Sequence, residues 1–258
     1  MSGLRALRHR LLVLLTLLAT SAVHAGTACT ERPVTVEAFR QADRLARQVL
    51  TVLDKEVRNA AILARSGTDL SRYGLRFSHA ALVLRDSGAA SWRVVHLLNH
   101  CAQDNASLYQ QGLINFFLDD PFEYAAALLV PGERLQHRLV QEVLRGTASA
   151  LFESRYDMLS HPRSLQAQNS NQWLLELVAA AQAQPGRSHS RASAQTWLYE
   201  HGFRADTVNI SALERLAARL FKANVSFDGQ PAAQLLAGRV QVVTVRALAR
   251  YLRATEPD

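Results

Sequence analysis

Cysteine and lysine are scarce in this 258-residue chain, and long apolar runs are absent beyond its first 25 residues. The cysteines are Cys29 and Cys101, and the lysines are Lys55 and Lys222. The sequence also lacks a phosphate-binding glycine loop, a cofactor fingerprint, an internal repeat and a low-complexity tract. These absences argue against a nucleotide- or cofactor-dependent enzyme of a recognisable type, so we expect no cofactor.

The basic charge of the chain comes almost entirely from arginine. The formal net charge is +7, but the arginines are scattered among acids along the helical segments. They form no run and are not interleaved with aromatic residues, as they often are on nucleic-acid surfaces. The pattern predicts a solvated surface and no nucleic-acid partner.

The first 25 residues read as a signal peptide. Arginines near the start precede an apolar stretch at 11–18, and small residues at Val23 and Ala25 favour cleavage before Gly26. The apolar stretch is shorter than the roughly 20 residues that span a bilayer. We therefore expect export to the periplasm or beyond, with no stable membrane span after cleavage. A lipoprotein signal ending at Cys29 is the alternative, although Gly26 stands where a lipobox usually has leucine.

The two cysteines allow three interpretations. In an oxidising compartment Cys29 and Cys101 most simply form one disulfide. The alternative is that Cys101 is a reactive thiol. A metal site would combine Cys101 with His96 and His100, but that stretch begins as a strand and zinc usually takes three or four protein ligands. We expect the disulfide and no metal.

The hydropathy pattern predicts an α+β protein with a small antiparallel sheet and helices packed around it. Helices are predicted at 36–57, 107–117, 133–151, from 170 to about 184, 194–201, 211–222 and after 245. Strands are predicted at 60–64, 77–84, 91–98, 124–130 and 240–245. The predicted organisation is a signal peptide at 1–25, an α+β core at 26–186 and a C-terminal, mostly helical appendage at 187–258 that packs on the core.

The stretch 168–178 is the most informative part of the chain. Apolar positions such as Trp173 and Leu177 recur at helical spacing, and Asn169 is suited to cap the helix N-terminus. Gln172, three residues after the cap, is placed to complete a capping box. Ser170 then lies where unpaired N–H groups and the helix dipole favour a nucleophile or an anion. The alternative is that Asn169 and Ser170 only cap a core helix.

Two histidines lie on strands that a short turn joins into a hairpin. If both side chains point to the same face, His79 and His96 lie near each other and near a helix N-terminus that packs on the sheet. A nucleophile, a base and an orienting group form the logic of catalytic triads. Ser170 would be the nucleophile, His79 the base and His96 the orienting group. The alternative is that both histidines are buried, satisfied members of the sheet.

The order of these motifs resembles that of permuted papain-like enzymes, which include NlpC-type peptidases and relatives of lecithin:retinol acyltransferase. The segment Ser78-His79-Ala80-Ala81 resembles their histidine strand, and Asn169-Ser170-Asn171 stands where they have an Asn-Cys-Ser helix start. The resemblance implies a papain-like fold over about 60–181. It also places serine where those enzymes use cysteine.

A closer resemblance covers almost the whole chain after residue 25. The segments Arg65–Leu70, His96–Asn99 and Gln168–Trp173, together with Gly112-Leu113 and Phe116-Phe117, resemble an exported bacterial family, domain of unknown function 2145. That resemblance implies no activity.

The presence of serine at position 170, where the papain-like enzymes have cysteine, bears on whether the protein is an enzyme. A serine hydroxyl cannot form an anion as a thiol does, so it needs a hydrogen-bonded base and a formed oxyanion hole. We therefore predict a cleft that binds a peptide, a lipid or an anionic group without catalysis, through Asn169, Asn171, Gln172 and Trp173. The alternative is a serine-dependent hydrolase or acyltransferase that acts on amide or ester bonds of cell-envelope peptides or lipids. The sequence leaves the oligomeric state open.

Overall fold

A computed structural model of the chain describes residues 33–86, 91–183 and 190–256, which belong to one compact unit. The predicted signal peptide, the cleavage site before Gly26 and Cys29 lie outside the described residues. Export and the Cys29–Cys101 disulfide therefore stay predictions.

A five-stranded antiparallel sheet forms the centre of the fold. Its strands are β1 (Ala60–Ser66), β2 (His79–Arg85), β3 (Trp92–Asn99), β4 (Ala106–Gln111) and β5 (Glu123–Leu129). Their order across the sheet is β4-β3-β2-β1-β5, and every neighbouring pair is antiparallel. The predicted α+β class with a small antiparallel sheet is confirmed.

Helices cover both faces of this sheet. The helices of the described residues are α1 (Val36–Glu56), α2 (Leu113–Leu118), α3 (Glu133–Leu144), α4 (Thr147–Ala150), α5 (Ser170–Gln182), α6 (Arg191–Glu200), α7 (Ala212–Phe221), α8 (Ala232–Leu236) and α9 (Val245–Thr255), of which α7 and α8 do not pack on this sheet. Among the described residues no helix combines the length and the apolar character needed to cross a membrane.

The period-two alternation of the strands decides which helix covers which face. On β2, Val83 packs with α1 and α2, whereas Leu82 packs with α5 on the opposite face. Strands β1 and β2 are buried along nearly their whole length because both faces are covered. Helix α5 is buried on all sides, so its amino end is held firmly against the sheet.

Two of the predicted helices are different in the structure. The stretch predicted as a helix at 107–117 is strand β4 followed by the short helix α2, and Gly112 separates the two. The helix predicted at 133–151 ends at Leu144, because Gly146 adopts φ = 82°, a left-handed conformation that a helix cannot continue through. The periodicity of apolar residues does not indicate that Gly112 and Gly146 interrupt these helices.

The C-terminal part contributes to the main core and also forms a core of its own. Helices α6 and α9 pack into the same cluster as α5. The antiparallel pair of β6 (Asp206–Asn209) and β7 (Arg239–Val242) forms a separate small cluster with Val225 and Phe227. The hydropathy pattern did not predict β6 or α8. The predicted boundary at 186/187 lies outside the described residues and stays a prediction.

Candidate active site at the start of helix α5

The amino end of α5 is fixed by the cap predicted for it. The Asn169 side-chain oxygen accepts a hydrogen bond from the backbone N–H of Gln172 at 2.8 Å. The second half of the predicted capping box is wrong. The Gln172 amide instead donates to the carbonyl of Pro162 at 3.3 Å and so holds the preceding loop against the helix. Ser170 is therefore the first helical residue, where backbone N–H groups lack intrahelical acceptors.

Ser170, His79 and His96 form one chain of hydrogen bonds. Ser170 Oγ lies 3.0 Å from His79 Nδ1, and His79 Nε2 lies 2.8 Å from His96 Nδ1. Strand register explains the second contact: β2 and β3 pair Leu82 with Val95, which places the histidines at diagonal positions on one face. The structure brings together the three residues that the sequence analysis singled out.

In one tautomeric state of the two histidines, His79 can act as a base toward Ser170. In it Ser170 Oγ–H donates to His79 Nδ1, and His79 Nε2–H donates to His96 Nδ1. The remaining His96 nitrogen, Nε2, is buried and has no acceptor among the described residues. His96 is thus placed to orient the ring of His79, which is what a third triad member does.

Burial and a nearby cation keep both histidines neutral. Ser170 is 5% exposed, His79 is 8% exposed and His96 is fully buried. Burial, then the charge of Arg65 and then His96 lower the pKa of His79 well below its ordinary value. Burial and Arg65 also lower the pKa of His96. A base is therefore present at neutral pH, but an imidazolium is costly to form there.

Arg65 is a site residue that the sequence analysis did not identify. It is 6% exposed, pairs with His79 across β1 and β2, and forms an ion pair with Asp119. Its guanidinium lies 5.1 Å from the centre of the Phe116 ring, and that ring also flanks both histidines. An arginine inside the apolar strand 60–66 was the available signal, since a buried charge needs a partner. Asp119 follows α2, and its side chain is 41% exposed, so the ion pair joins a buried cation to a partly solvated carboxylate.

Tyr156 is the second residue that was missed. Burial raises the pKa of Tyr156 to about 12, and the neighbouring Ser170 hydroxyl opposes that rise. The phenol therefore stays protonated and can donate to Ser170 Oγ while Ser170 donates to His79. Tyr156 lies in the loop before α5, and neither periodicity nor spacing marks a loop tyrosine as a site residue.

The four predicted binding residues contact the protein itself. Asn171 accepts from the Ala80 backbone N–H at 2.9 Å, so it ties α5 to the strand that carries His79. Trp173 is fully buried, and its indole N–H donates to the carbonyl of Ala148 at 3.0 Å. Asn169 and Gln172 hold the loop and the helix start, as described above. Their role in binding a ligand stays a prediction.

The residues considered for a metal site do not converge. His100 Nε2 lies 2.9 Å from Ser107 Oγ, whereas His96 points to His79. Within 33–86, 91–183 and 190–256, no group of three or more His, Cys, Asp or Glu side chains is arranged to hold a metal ion. Cys101 lies in the turn after β3.

A surface depression lies on the histidine face of the sheet. It has a volume of about 520 Å³ and is lined by Tyr109, Gln111 and Asp119, among others. Tyr109 is the register partner of His96, and their ring centres are 6.4 Å apart. The lining includes none of Ser170, His79 and His96. Through Tyr109 the depression lies nearest to His96.

The arrangement combines groups that acyl-transfer chemistry uses, and they are buried. It has a hydroxyl in contact with a neutral imidazole, a second imidazole that orients the first, and a helix N-terminus with a buried cation nearby. Positive potential favours a developing oxyanion, as it favours any bound anion.

The comparisons give a family and no activity. No curated protein and no solved structure matches the chain. Residues 52–252, which include every residue of the hydrogen-bonded chain, match a family described as an uncharacterized protein conserved in bacteria. The chain therefore belongs to the bacterial family named domain of unknown function 2145.

Proposed function

We propose that the protein is a serine-dependent hydrolase or acyltransferase, with Ser170 as nucleophile, His79 as general base and His96 as the group that orients His79. The observation that carries the proposal is the unbroken contact from Ser170 Oγ to His79 Nδ1 at 3.0 Å and from His79 Nε2 to His96 Nδ1 at 2.8 Å. Activation of a serine requires such a base contact. If His79 and His96 only stabilised the sheet, a serine hydroxyl at the N-terminus of α5 would not be required.

The remaining elements supply what the transition state needs. Ser170 would attack the carbonyl carbon of an ester or amide while its proton passes to His79. The oxygen that gains negative charge would be stabilised by the backbone N–H groups at the start of α5, by the Tyr156 hydroxyl and by the field of Arg65. The resemblance to permuted papain-like enzymes supports cell-envelope peptides or lipids as the substrate class, and the predicted export is consistent with that class.

Binding without catalysis is the second candidate, and the closed state of the site favours it. Ser170 is only 5% exposed, and the lowered pKa of His79 weakens it as a base. Such a site would hold an anionic group of a peptide or lipid at the positive end of α5 and form no covalent bond.

Covalent labelling separates the two functions. A fluorophosphonate that carries a short alkyl chain should label the wild-type protein, because Ser170 Oγ displaces fluoride from phosphorus while its proton passes to His79. Intact-mass measurement should show one added phosphonyl group, and peptide mapping should place it on Ser170. Ser170→Ala should lose the label.

Ser107→Ala is the matched control for this experiment. Ser107 also lies within hydrogen-bond distance of a histidine, His100, but it is neither at a helix start nor next to a second histidine. Its replacement should leave labelling unchanged. A wild-type protein that stays unlabelled would favour the binding function and end the proposal of catalysis.

The pH dependence of labelling should reflect the lowered pKa of His79. An ordinary histidine with a pKa of about 6.5 is only about one quarter neutral at pH 6. Because burial and Arg65 lower the pKa of His79, its neutral form persists to lower pH, and the labelling rate should be unchanged between pH 8 and pH 6. The measurement is the second-order rate constant of labelling across this range.

Arg65→Gln tests the cause of that pH dependence. Removing the guanidinium takes away one of the effects that lower the pKa of His79, so the acid fall in labelling should move to higher pH. A profile that already falls between pH 7 and pH 6 in the wild type would show that the pKa of the base is not lowered.

A further inference from the structure

Helices α7 and α8 present a leucine surface to the solvent. Leu213, Leu216 and Leu220 of α7 are 74%, 56% and 65% exposed, and Leu236 of α8 is 88% exposed. Leu213, Leu216 and Leu220 recur at the spacing of one helix face. These four residues are called the leucine face below. Contiguous exposed apolar residues of this kind mark an interaction surface more often than scattered single ones do.

The leucine face is not needed to hold the two helices in place. The opposite sides of α7 and α8 pack on the β6–β7 cluster through Ala218 and Leu235. The Arg215 guanidinium donates to the Leu235 carbonyl and links the two helices directly. Because the inner sides already supply the packing, the outer leucines remain available to a partner.

The charged residues of α7 and α8 are mainly basic. Helix α7 and its C-cap carry Arg215, Arg219 and Lys222, and the only acid of α7 is Glu214. Glu214 forms an ion pair with Arg72, so it does not neutralise the α7 cations. Helix α8 has no acidic residue. An apolar helix face flanked by cations is typical of helices that lie in the interface of an anionic membrane.

The same charges argue against a second copy of the chain as the partner. A symmetric dimer through the leucine face would bring equivalent arginines of the two copies close together without intervening acids. An anionic bilayer instead offers headgroups to the cations and hydrocarbon to the leucines. We propose that the leucine face docks the protein on the surface of an anionic lipid bilayer, with α7 and α8 lying in the interface.

Vesicle binding tests this proposal. The protein from residue 26 to residue 258 is sedimented with vesicles of pure phosphatidylcholine and with vesicles that also contain phosphatidylglycerol. We expect binding to the anionic vesicles that weakens as salt rises, since the headgroup attraction is screened. Leu220→Glu and Leu236→Glu should each lower the partition coefficient by about tenfold or more, because each removes apolar surface and adds a repelled charge.

Two further variants complete the design. Arg219→Gln should lower binding by about fivefold, the effect of roughly one cation near an anionic surface. Leu144→Glu is the matched control, because Leu144 is 73% exposed on α3, outside the leucine face, and its replacement should leave binding unchanged. Far-UV circular dichroism checks that each variant keeps its helices.

Three results would overturn the proposal. One is wild-type protein that does not sediment with anionic vesicles at low salt. Another is equal loss of binding in Leu144→Glu and Leu220→Glu. The third is a concentration-dependent dimer in sedimentation velocity that Leu220→Glu abolishes, which would assign the surface to a second copy of the chain.

Discussion

Replacing His79 by alanine is expected to slow covalent labelling of Ser170 by about 10²- to 10⁴-fold, the usual contribution of a general base. His79 Nδ1 lies 3.0 Å from Ser170 Oγ, and its lowered pKa leaves it neutral and able to accept the serine proton. Without it, Ser170 loses its hydrogen-bonded base, and the nearby Tyr156, whose pKa is about 12, stays protonated and cannot replace it. The measurement is the second-order labelling rate constant with the fluorophosphonate.

His100→Ala is the control for a general loss of histidine. His100 makes a similar contact, 2.9 Å from Ser107 Oγ, at the end of β3. Its replacement should leave the labelling rate unchanged. His96→Gln should give an intermediate loss, because His79 keeps its contact with Ser170 but loses the partner that fixes its ring. A His79→Ala protein that labels at the wild-type rate would refute the assignment of the base.

Local patterns in the sequence explain why Ser170, His79 and His96 lie together. Alternation along two hairpin strands fixes which side chains share a face, so His79 and His96 had to lie together once β2 and β3 paired. The cap of a helix is also a local property, so Asn169 indicated where α5 begins and placed Ser170 in its first turn. Both inferences need only short-range rules.

The parts that were missed depend on contacts between distant segments. Arg65 meets Asp119 across 54 positions of sequence, and no periodicity links them. Tyr156 reaches Ser170 from a loop whose path is set by packing. Glu176 is fully buried because α5 is buried on every side, and its partners come from the preceding loop and from α6. Tertiary placement decided all three.

The closed site connects the two proposals of function. The loop before α5 packs on the small β6–β7 cluster through Met158 and Leu159, and the inner sides of α7 and α8 pack on the same cluster. The leucine face and the start of α5 are therefore joined through one small core. If docking shifts this core, Ser170 labelling should rise when anionic vesicles are added, whereas Leu220→Glu should show no rise.

Glu176→Ala is expected to lower the free energy of unfolding by about 3–5 kcal/mol, the usual effect of removing one partner of a buried ion pair. The Glu176 carboxylate is fully buried and accepts from Arg191 at 2.9 Å, from Gln168 at 2.7 Å and from Gln195 at 2.8 Å. Burial raises the pKa of Glu176, and the hydrogen bonds from these partners oppose that shift. Alanine would leave the buried Arg191 guanidinium without its counter-charge, and Arg191, Gln168 and Gln195 would keep only backbone carbonyls as acceptors.

Denaturant unfolding followed by tryptophan fluorescence measures this loss. Glu133→Ala is the matched control, because Glu133 pairs with Arg58 at 3.2 Å while both side chains are about three-quarters exposed. An exposed pair contributes little, so we expect a change of about 0.5 kcal/mol or less for the control. Glu176 joins α5, the preceding loop and α6, and the effect of Glu176→Ala should therefore far exceed that of Glu133→Ala. Equal small losses in both variants would mean that the packing of α5, and not this carboxylate, holds the three segments together.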